Sequence, residues 1–230
     1  MYALATTRDS CLITTTLNHV TTDTEVFARI AAALKQSGYV ILNDVFSVAQ
    51  LQSLFIDIKK TDSEDFHAAG IGREQARQLN PFVRRDRIRW LDMEMPTTQF
   101  YLQWAERLRV HLNRVLYLGL FDYECHYSHY PQGAFYKKHL DTFRGNSSRR
   151  LSSILYLNPT WQQGDGGELV LYSADDSDVL EAVTPTFGKM VLFLSEEFPH
   201  EVLPTRCSRF SLTGWFRINT TTAVNLDPPV

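Results

Sequence analysis

Residues 151–172, LSSILYLNPTWQQGDGGELVLY, contain two short apolar runs separated by a segment rich in Gly and polar residues. The runs favour strands, and the Pro and Gly residues between them favour turns. Similar runs occur on both sides: FDYECHYSHY (121–130), GAFYKKHL (133–140), VLEAV (179–183), KMVLFL (189–194), HEVLP (200–204) and RFSLTGWFRI (209–218). Many short strands with regular turn signals predict a β-sandwich or a barrel-like jelly roll over residues 120–217.

The chain before residue 119 has a helical pattern. Thr22 and Glu25 form a capping box before a helix over about 23–37, and Gly38 ends that helix. The other predicted elements are a strand over 39–46, a helix capped by Ser47 and Gln50, a strand at RIRWLDM (87–93), and a helix from Thr97 or Thr98 to about Leu118 with Phe100, Trp104, Leu108, Leu112 and Val115 facing inward. We therefore expect an α+β fold, in which helical support over 22–118 packs on one sheet of the jelly roll.

Length and composition set the expected organisation. With 230 residues, 44% of them hydrophobic, the chain fits one domain over 22–230, preceded by a flexible segment over 1–21. The balance of 23 basic and 26 acidic residues favours neither nucleic acid nor a membrane surface as partner. No leader peptide or long apolar span is evident, and the 3 cysteines lack metal-site spacing, so a cytoplasmic protein is expected.

His139 and Asp141 are two residues apart in a predicted strand, and therefore project to the same side. A neighbouring strand of a jelly roll would bring His200 to the same place. Two imidazoles and one carboxylate form a facial triad, which suits ferrous iron and leaves coordination positions open. Taken alone, an HxD pair is more often a surface feature than a metal site.

Arg209 begins an apolar strand nine residues after His200. A buried guanidinium is costly unless it meets an anion, and its planar fork pairs well with a carboxylate. A bound carboxylate, with Tyr156 donating a second hydrogen bond, would satisfy Arg209. An internal salt bridge to Asp or Glu is the alternative.

From about Tyr39 to Arg217 the chain resembles the prolyl hydroxylase branch of the Fe(II)/2-oxoglutarate oxygenases, in particular the hypoxia-factor type and its bacterial relatives. The matching segments are VRRDRIRW (83–90), YPQGAFYKKHLD (130–141), ILYLNPTW (154–161), GDGGELVLY (164–172), VTPTFGKMVLFLS (183–195), FPHEVLP (198–204) and RFSLTGWF (209–216). Their order and spacing are far more specific than the triad alone.

The resemblance implies a role for each matching residue. His139, Asp141 and His200 would hold Fe(II), while Arg209 and Tyr156 would hold the distal carboxylate of 2-oxoglutarate. The remaining implied residues are Tyr130 near the metal-binding end of 2-oxoglutarate, Thr213 and Trp215 beside the iron, and Arg84, Asp86, Trp90 and Arg149 at a substrate-binding rim. The co-substrates would be 2-oxoglutarate and O2, and ascorbate dependence is also implied.

The implied reaction is C4 hydroxylation of a prolyl residue in a protein, a translation factor being a natural target in a bacterial relative. Two other interpretations stay open. An oxygenase of the same mechanism would act on a free amino acid or another small molecule, and a non-catalytic jelly-roll sensor module would hold metal without turnover.

Overall fold

The computed structural model describes residues 22–61, 65–70, 80–91, 95–142 and 148–221. The segment 1–21, for which flexibility is predicted, lies outside the described residues. The helices are α1 (Asp23–Ser37), α2 (Val48–Lys60) and α3 (Gln99–Leu116). The strands are β1 (Tyr39–Leu42), β2 (His67–Ala68), β3 (Arg87–Trp90), β4 (Leu120–Tyr130), β5 (Tyr136–His139), β6 (Arg149–Tyr156), β7 (Leu169–Tyr172), β8 (Val179–Val183), β9 (Met190–Leu194), β10 (His200–Val202) and β11 (Arg209–Ile218).

The capping signals place the first two helices correctly. Both α1 and α2 begin with a reciprocal capping box, and Gly38 ends α1 in the left-handed conformation with φ 77°. Thr98 precedes α3, but its hydroxyl donates to the Met95 carbonyl instead of capping the helix. The prediction that Val115 faces inward is wrong, because its side chain is 43% exposed.

The strands form two antiparallel sheets, as expected for a jelly roll. The seven-stranded major sheet has the order β1-β9-β6-β11-β4-β3-β2, and the four-stranded minor sheet has the order β5-β10-β7-β8. Among the described elements, α1 packs on β1 and β9 and α3 packs on β4, all in the major sheet, which matches the predicted support of one sheet. The minor sheet faces the other side of the major sheet.

Side-chain alternation along the major-sheet strands builds two separate cores. On β6, Leu151 and Leu155 join the helices in one apolar cluster, whereas Ile154 and Tyr156 join the cluster between the two sheets. The inner face of the central pair β4–β11 is more polar, since the cross-strand partners include Arg209 with Tyr130 and Thr213 with His126. This polar strip forms the back wall of the site described next.

Candidate active site

The minor sheet places the two predicted histidine ligands directly opposite each other. His139 on β5 and His200 on β10 are Cα partners, and Asp141 follows the end of β5. The Nε2 atoms of both histidines lie 3.6 Å from a carboxylate oxygen of Asp141. The three side chains offer ligand atoms within 4.8 Å of one another, so the structure brings the whole predicted triad together.

Backbone carbonyls orient both imidazoles. The Nδ1 atom of His139 lies 2.7 Å from the Lys137 carbonyl oxygen, and Nδ1 of His200 lies 3.0 Å from that of Phe198. A carbonyl can only accept, so each Nδ1 carries the proton and each Nε2 is left with a lone pair. Burial and the electrostatic influence of the neighbouring His139 lower the pKa of His200 to about 4. The imidazole of His200 is therefore neutral at pH 7, as a metal ligand must be.

Asp141 is ionised in this setting. Burial opposes the charge, but the electrostatic influence of His200, His139 and Arg149 more than offsets it and holds the pKa of the carboxyl well below its usual range. Two imidazoles and one carboxylate with ligand atoms this close together fit Fe(II) and leave room for other ligands.

Arg209 lies in the same pocket as the triad and is only 2% exposed. Its Nε donates to the Gly167 carbonyl at 2.9 Å. Within the described ranges, no Asp or Glu forms an ion pair with Arg209, so the alternative of an internal salt bridge finds no support there. The guanidinium lies 4.8 Å from the centre of the Tyr130 ring and 5.0 Å from that of Tyr156.

Tyr130 lines the pocket beside Arg209, and Tyr156 is buried next to Arg209 without lining the pocket. The Tyr156 hydroxyl is buried, and it has no hydrogen-bond partner among the residues that the structure describes. Burial raises the pKa of Tyr156 to about 12, so the hydroxyl keeps its proton. A carboxylate bound by Arg209 would accept that proton in a hydrogen bond. Tyr130 packs its ring against Arg209, and the role of its hydroxyl at the metal-binding end stays a prediction.

The predicted rim residues separate into two groups. Arg84 and Arg149 line the pocket together with Thr213 and Trp215. Asp86 does not, because it is 3% exposed and accepts two hydrogen bonds from Arg84, at 2.7 and 2.6 Å. The carboxylate of Asp86 orients Arg84, and contact of Asp86 with a substrate stays a prediction.

Trp90 and Arg149 border the outer part of the site. The Arg149 guanidinium stacks 3.5 Å from the centre of the Trp215 ring, and its Nε donates to Glu124 at 2.8 Å. Trp90 is 48% exposed and does not line the metal pocket, but its ring contacts His126 edge-on at 5.0 Å. Trp90 therefore stands outside the pocket and touches its wall.

Sequence reasoning did not identify several residues of the pocket. His126 is buried on β4, with Nδ1 3.1 Å from the Ser128 hydroxyl oxygen. Burial and the charge of Arg84 lower the pKa of His126 to about 3. Alternation from Tyr130 would have placed both His126 and Ser128 on the inner face. The other missed residues that line the pocket are Tyr136, Ile154, Leu169 and Val202.

A jelly roll with a facial triad and a buried arginine in one pocket defines the class of non-haem iron oxygenases that use a keto-acid co-substrate. Residues 125–217 match the model of the 2OG-Fe(II) oxygenase superfamily. A prolyl-4-hydroxylase from Pseudomonas putida superposes with a TM-score of 0.75 at 37% identity, over 84% of this chain and 98% of that one. The chain therefore belongs to the 2OG-Fe(II) oxygenase superfamily, and Fe(II), 2-oxoglutarate and O2 are the cofactor and co-substrates of that family.

Two further relatives extend the comparison. A prolyl hydroxylase from Trichoplax adhaerens, solved with a peptide of hypoxia inducible factor, has the same fold, with a TM-score of 0.73 at 22% identity over 85% of this chain and 90% of that one. The mouse prolyl 3-hydroxylase OGFOD1 is 37% identical over 76 residues, which are 30% of this chain and 14% of that relative. The chain thus spans a small part of OGFOD1.

Proposed function

We propose that this protein hydroxylates a prolyl residue of a protein substrate at C4, using Fe(II), 2-oxoglutarate and O2. The observation that carries the proposal is the buried Arg209 in the same pocket as the triad. A guanidinium without a carboxylate partner among the described residues favours an anionic ligand, and Arg209 and the triad line one pocket, as a dicarboxylate that binds to both requires. The similarity to the Pseudomonas putida enzyme supports proline as the target.

In this proposal His139, Asp141 and His200 bind iron, and Arg209 and Tyr156 hold one carboxylate of 2-oxoglutarate. Iron with 2-oxoglutarate and O2 supplies the oxidation: one oxygen atom replaces a C–H bond of proline with C–OH, and the other enters succinate as CO2 leaves. The chain contributes orientation and exclusion of water. Water is excluded by the apolar pocket residues Ile154, Leu169 and Val202.

A peptide is favoured over a free amino acid by the outer part of the site. Arg84 and Arg149 line the pocket and Trp90 is exposed beside it, and these residues are proposed to contact a peptide that runs past the pocket. The substrate is proposed to be a folded or unfolded protein segment that presents a proline, a translation factor being one candidate.

The described cysteines, Cys125 and Cys207, are free thiols, consistent with the cytoplasm as the proposed location. None of the described helices is long and apolar enough to span a bilayer.

The test is to load the protein with Fe(II) anaerobically, and then add 2-oxoglutarate, O2 and either proline-containing peptides or free L-proline. Succinate together with one added oxygen on a peptidyl proline is the expected result. Oxidation of free proline alone would favour the small-molecule interpretation. Absence of succinate under every condition would leave the non-catalytic sensor module.

The position of the hydroxyl group needs its own measurement, because relatives carry both names, prolyl 4-hydroxylase and prolyl 3-hydroxylase. Mass spectrometry of the peptide gives the same mass for both products. Acid hydrolysis followed by chromatography against 3- and 4-hydroxyproline standards distinguishes them. A product that co-elutes with 3-hydroxyproline would contradict the C4 assignment and leave the oxygenase chemistry intact.

A further inference from the structure

A chain of two buried serine hydroxyls ends on the carboxylate of Asp141. The Ser152 hydroxyl donates to Asp141 Oδ2 at 2.6 Å, and the hydroxyl oxygens of Ser152 and Ser195 are 2.8 Å apart. Both serines are fully buried, at 0% exposure. They lie on or directly after strands of the major sheet, whereas His139 and His200 belong to the minor sheet. These hydrogen bonds therefore connect the Asp141 carboxylate to the major sheet.

The donor and acceptor in each of these two hydrogen bonds follow from counting hydroxyl protons. A hydroxyl has one proton, and Ser152 gives its proton to Asp141. The proton between the two serines must then belong to Ser195, which donates to Ser152. Each donation polarises the next hydroxyl in the same sense, which strengthens the bond to the carboxylate. An ionised Asp141 is the acceptor that such a chain favours.

Asp141 needs this support more than the histidines do. His139 and His200 are strand residues, and each has its ring held by a backbone carbonyl. Asp141 lies beyond the last residue of β5, so no strand pairing fixes its backbone. Ser152 lies in a strand with neighbours on both sides, β9 and β11, and offers a rigid anchor.

We propose that Ser152 and Ser195 are positioning residues for the metal site, which hold the Asp141 carboxylate facing the two imidazoles. This inference rests on the proposed iron site. Hydrogen-bonding partners of metal ligands typically contribute about 10- to 100-fold to metal affinity. Loss of Ser152 should have this effect, and loss of Ser195 a smaller one, because Ser195 acts only through Ser152.

Ser153 supplies a matched control. It is the next residue, it is equally buried, and it also makes hydrogen bonds, to the Tyr123 hydroxyl at 2.9 Å and to the Gly214 carbonyl at 3.3 Å. Its side chain points to the helical side of the sheet, away from the triad. Ser153→Ala therefore removes a buried, hydrogen-bonded hydroxyl without touching Asp141.

The experiment measures Mn²⁺ affinity in the absence of 2-oxoglutarate and substrate, from the electron paramagnetic resonance signal of free Mn²⁺. We expect Ser152→Ala to weaken Mn²⁺ binding by about 10- to 100-fold, Ser195→Ala to weaken it less, and Ser153→Ala to leave it unchanged. The double variant Ser152→Ala/Ser195→Ala should bind no more weakly than Ser152→Ala. Thermal unfolding of the metal-free variants checks that each one folds.

Two failures are distinguishable. If the wild-type protein bound no Mn²⁺, the proposed metal site itself would fail, and this inference with it. If wild-type binding were normal and Ser152→Ala bound Mn²⁺ as tightly as Ser153→Ala does, only the role of the serines would be refuted. Additive losses in the double variant would contradict the chain from Ser195 through Ser152.

Discussion

Replacement of Arg209 with Met should change stability and co-substrate binding in opposite directions. The guanidinium is 2% exposed, and in the described residues its hydrogen bonding consists of one bond from Nε to the Gly167 carbonyl. Burying a charge without a counter-charge is unfavourable, and an apolar side chain of similar length removes that cost. Without 2-oxoglutarate, Arg209→Met should therefore be at least as stable as the wild type.

The loss of co-substrate affinity should be large. Removing one partner of a buried, hydrogen-bonded charge pair costs about 2–5 kcal/mol. At about 1.4 kcal/mol per factor of ten, that is about 30-fold to about 4,000-fold in the dissociation constant of 2-oxoglutarate. Arg209→Lys keeps the charge but loses the planar fork, and should fall between the wild type and Arg209→Met.

The assay is thermal unfolding at saturating Mn²⁺ with and without 2-oxoglutarate. A ligand at 100 times its dissociation constant stabilises a protein by about 2.7 kcal/mol. For a chain of this size the melting temperature should rise by about 5–11 °C, at about 2–4 °C per kcal/mol. Arg209→Met should lose this rise while its Mn²⁺ affinity stays normal. An undiminished rise in Arg209→Met would refute the assignment of Arg209 as the carboxylate anchor.

Three further predictions follow from the geometry of the site. Asp141→Ala should weaken Mn²⁺ and Fe(II) binding by at least about 100-fold, measured by metal titration, because it removes the anionic ligand; retained iron and turnover would contradict the triad. Gly167→Ala should raise the KM for 2-oxoglutarate in a succinate assay, because a Cβ there would lie 3.0 Å from Arg209 Cδ at a backbone φ of +66°; an unchanged KM would show that Arg209 tolerates the shift. His126→Gln should flatten the acid loss of stability, because the pKa of His126 is lowered to about 3 in the fold against about 6.5 unfolded. Below pH 6.5 the unfolded chain binds the proton first, so the free energy of unfolding decreases as the pH is lowered. Chemical unfolding should show that the wild type loses about 2 kcal/mol of stability between pH 7 and pH 5 from this group. An equal loss in the variant would contradict the prediction.

The helix starts were predictable where a side chain forms a hydrogen bond with the backbone a few residues away. The capping boxes at Thr22 and Ser47 are such signals, and both helices begin where those residues indicate. Competition between neighbours was harder to predict. On α3, Leu116 rather than Val115 continues the buried stripe, since it packs against the core and Val115 is exposed. The predicted strand over 39–46 ends at Leu42, and Phe46 instead packs against Trp104 at 5.1 Å.

The site was predictable where chemistry restricts residue type. The triad stands out in the sequence because two histidines and an acid can share a metal. Arg209 stands out because an arginine in an apolar strand needs an anion. Ser152 did not stand out, because serine is common and its neighbour Ser153 looks the same in the sequence. Only the sheet register, which pairs Ser152 with Trp215, shows that Ser152 faces Asp141. The pairing of Asp86 with Arg84 was not predicted, because the sequence does not reveal which cation a carboxylate meets.

Because His139 pairs directly with His200, metal binding at the proposed site depends on the register between β5 and β10. Side chains alternate between the faces of a strand, so a slip of β10 by one residue against β5 would turn His200 away from Asp141. A misaligned minor sheet would then lose the proposed site. An ion that binds the native pairing and no other also favours that pairing over its competitors. In the proposed iron site, metal binding and correct pairing of β5 with β10 are therefore thermodynamically linked.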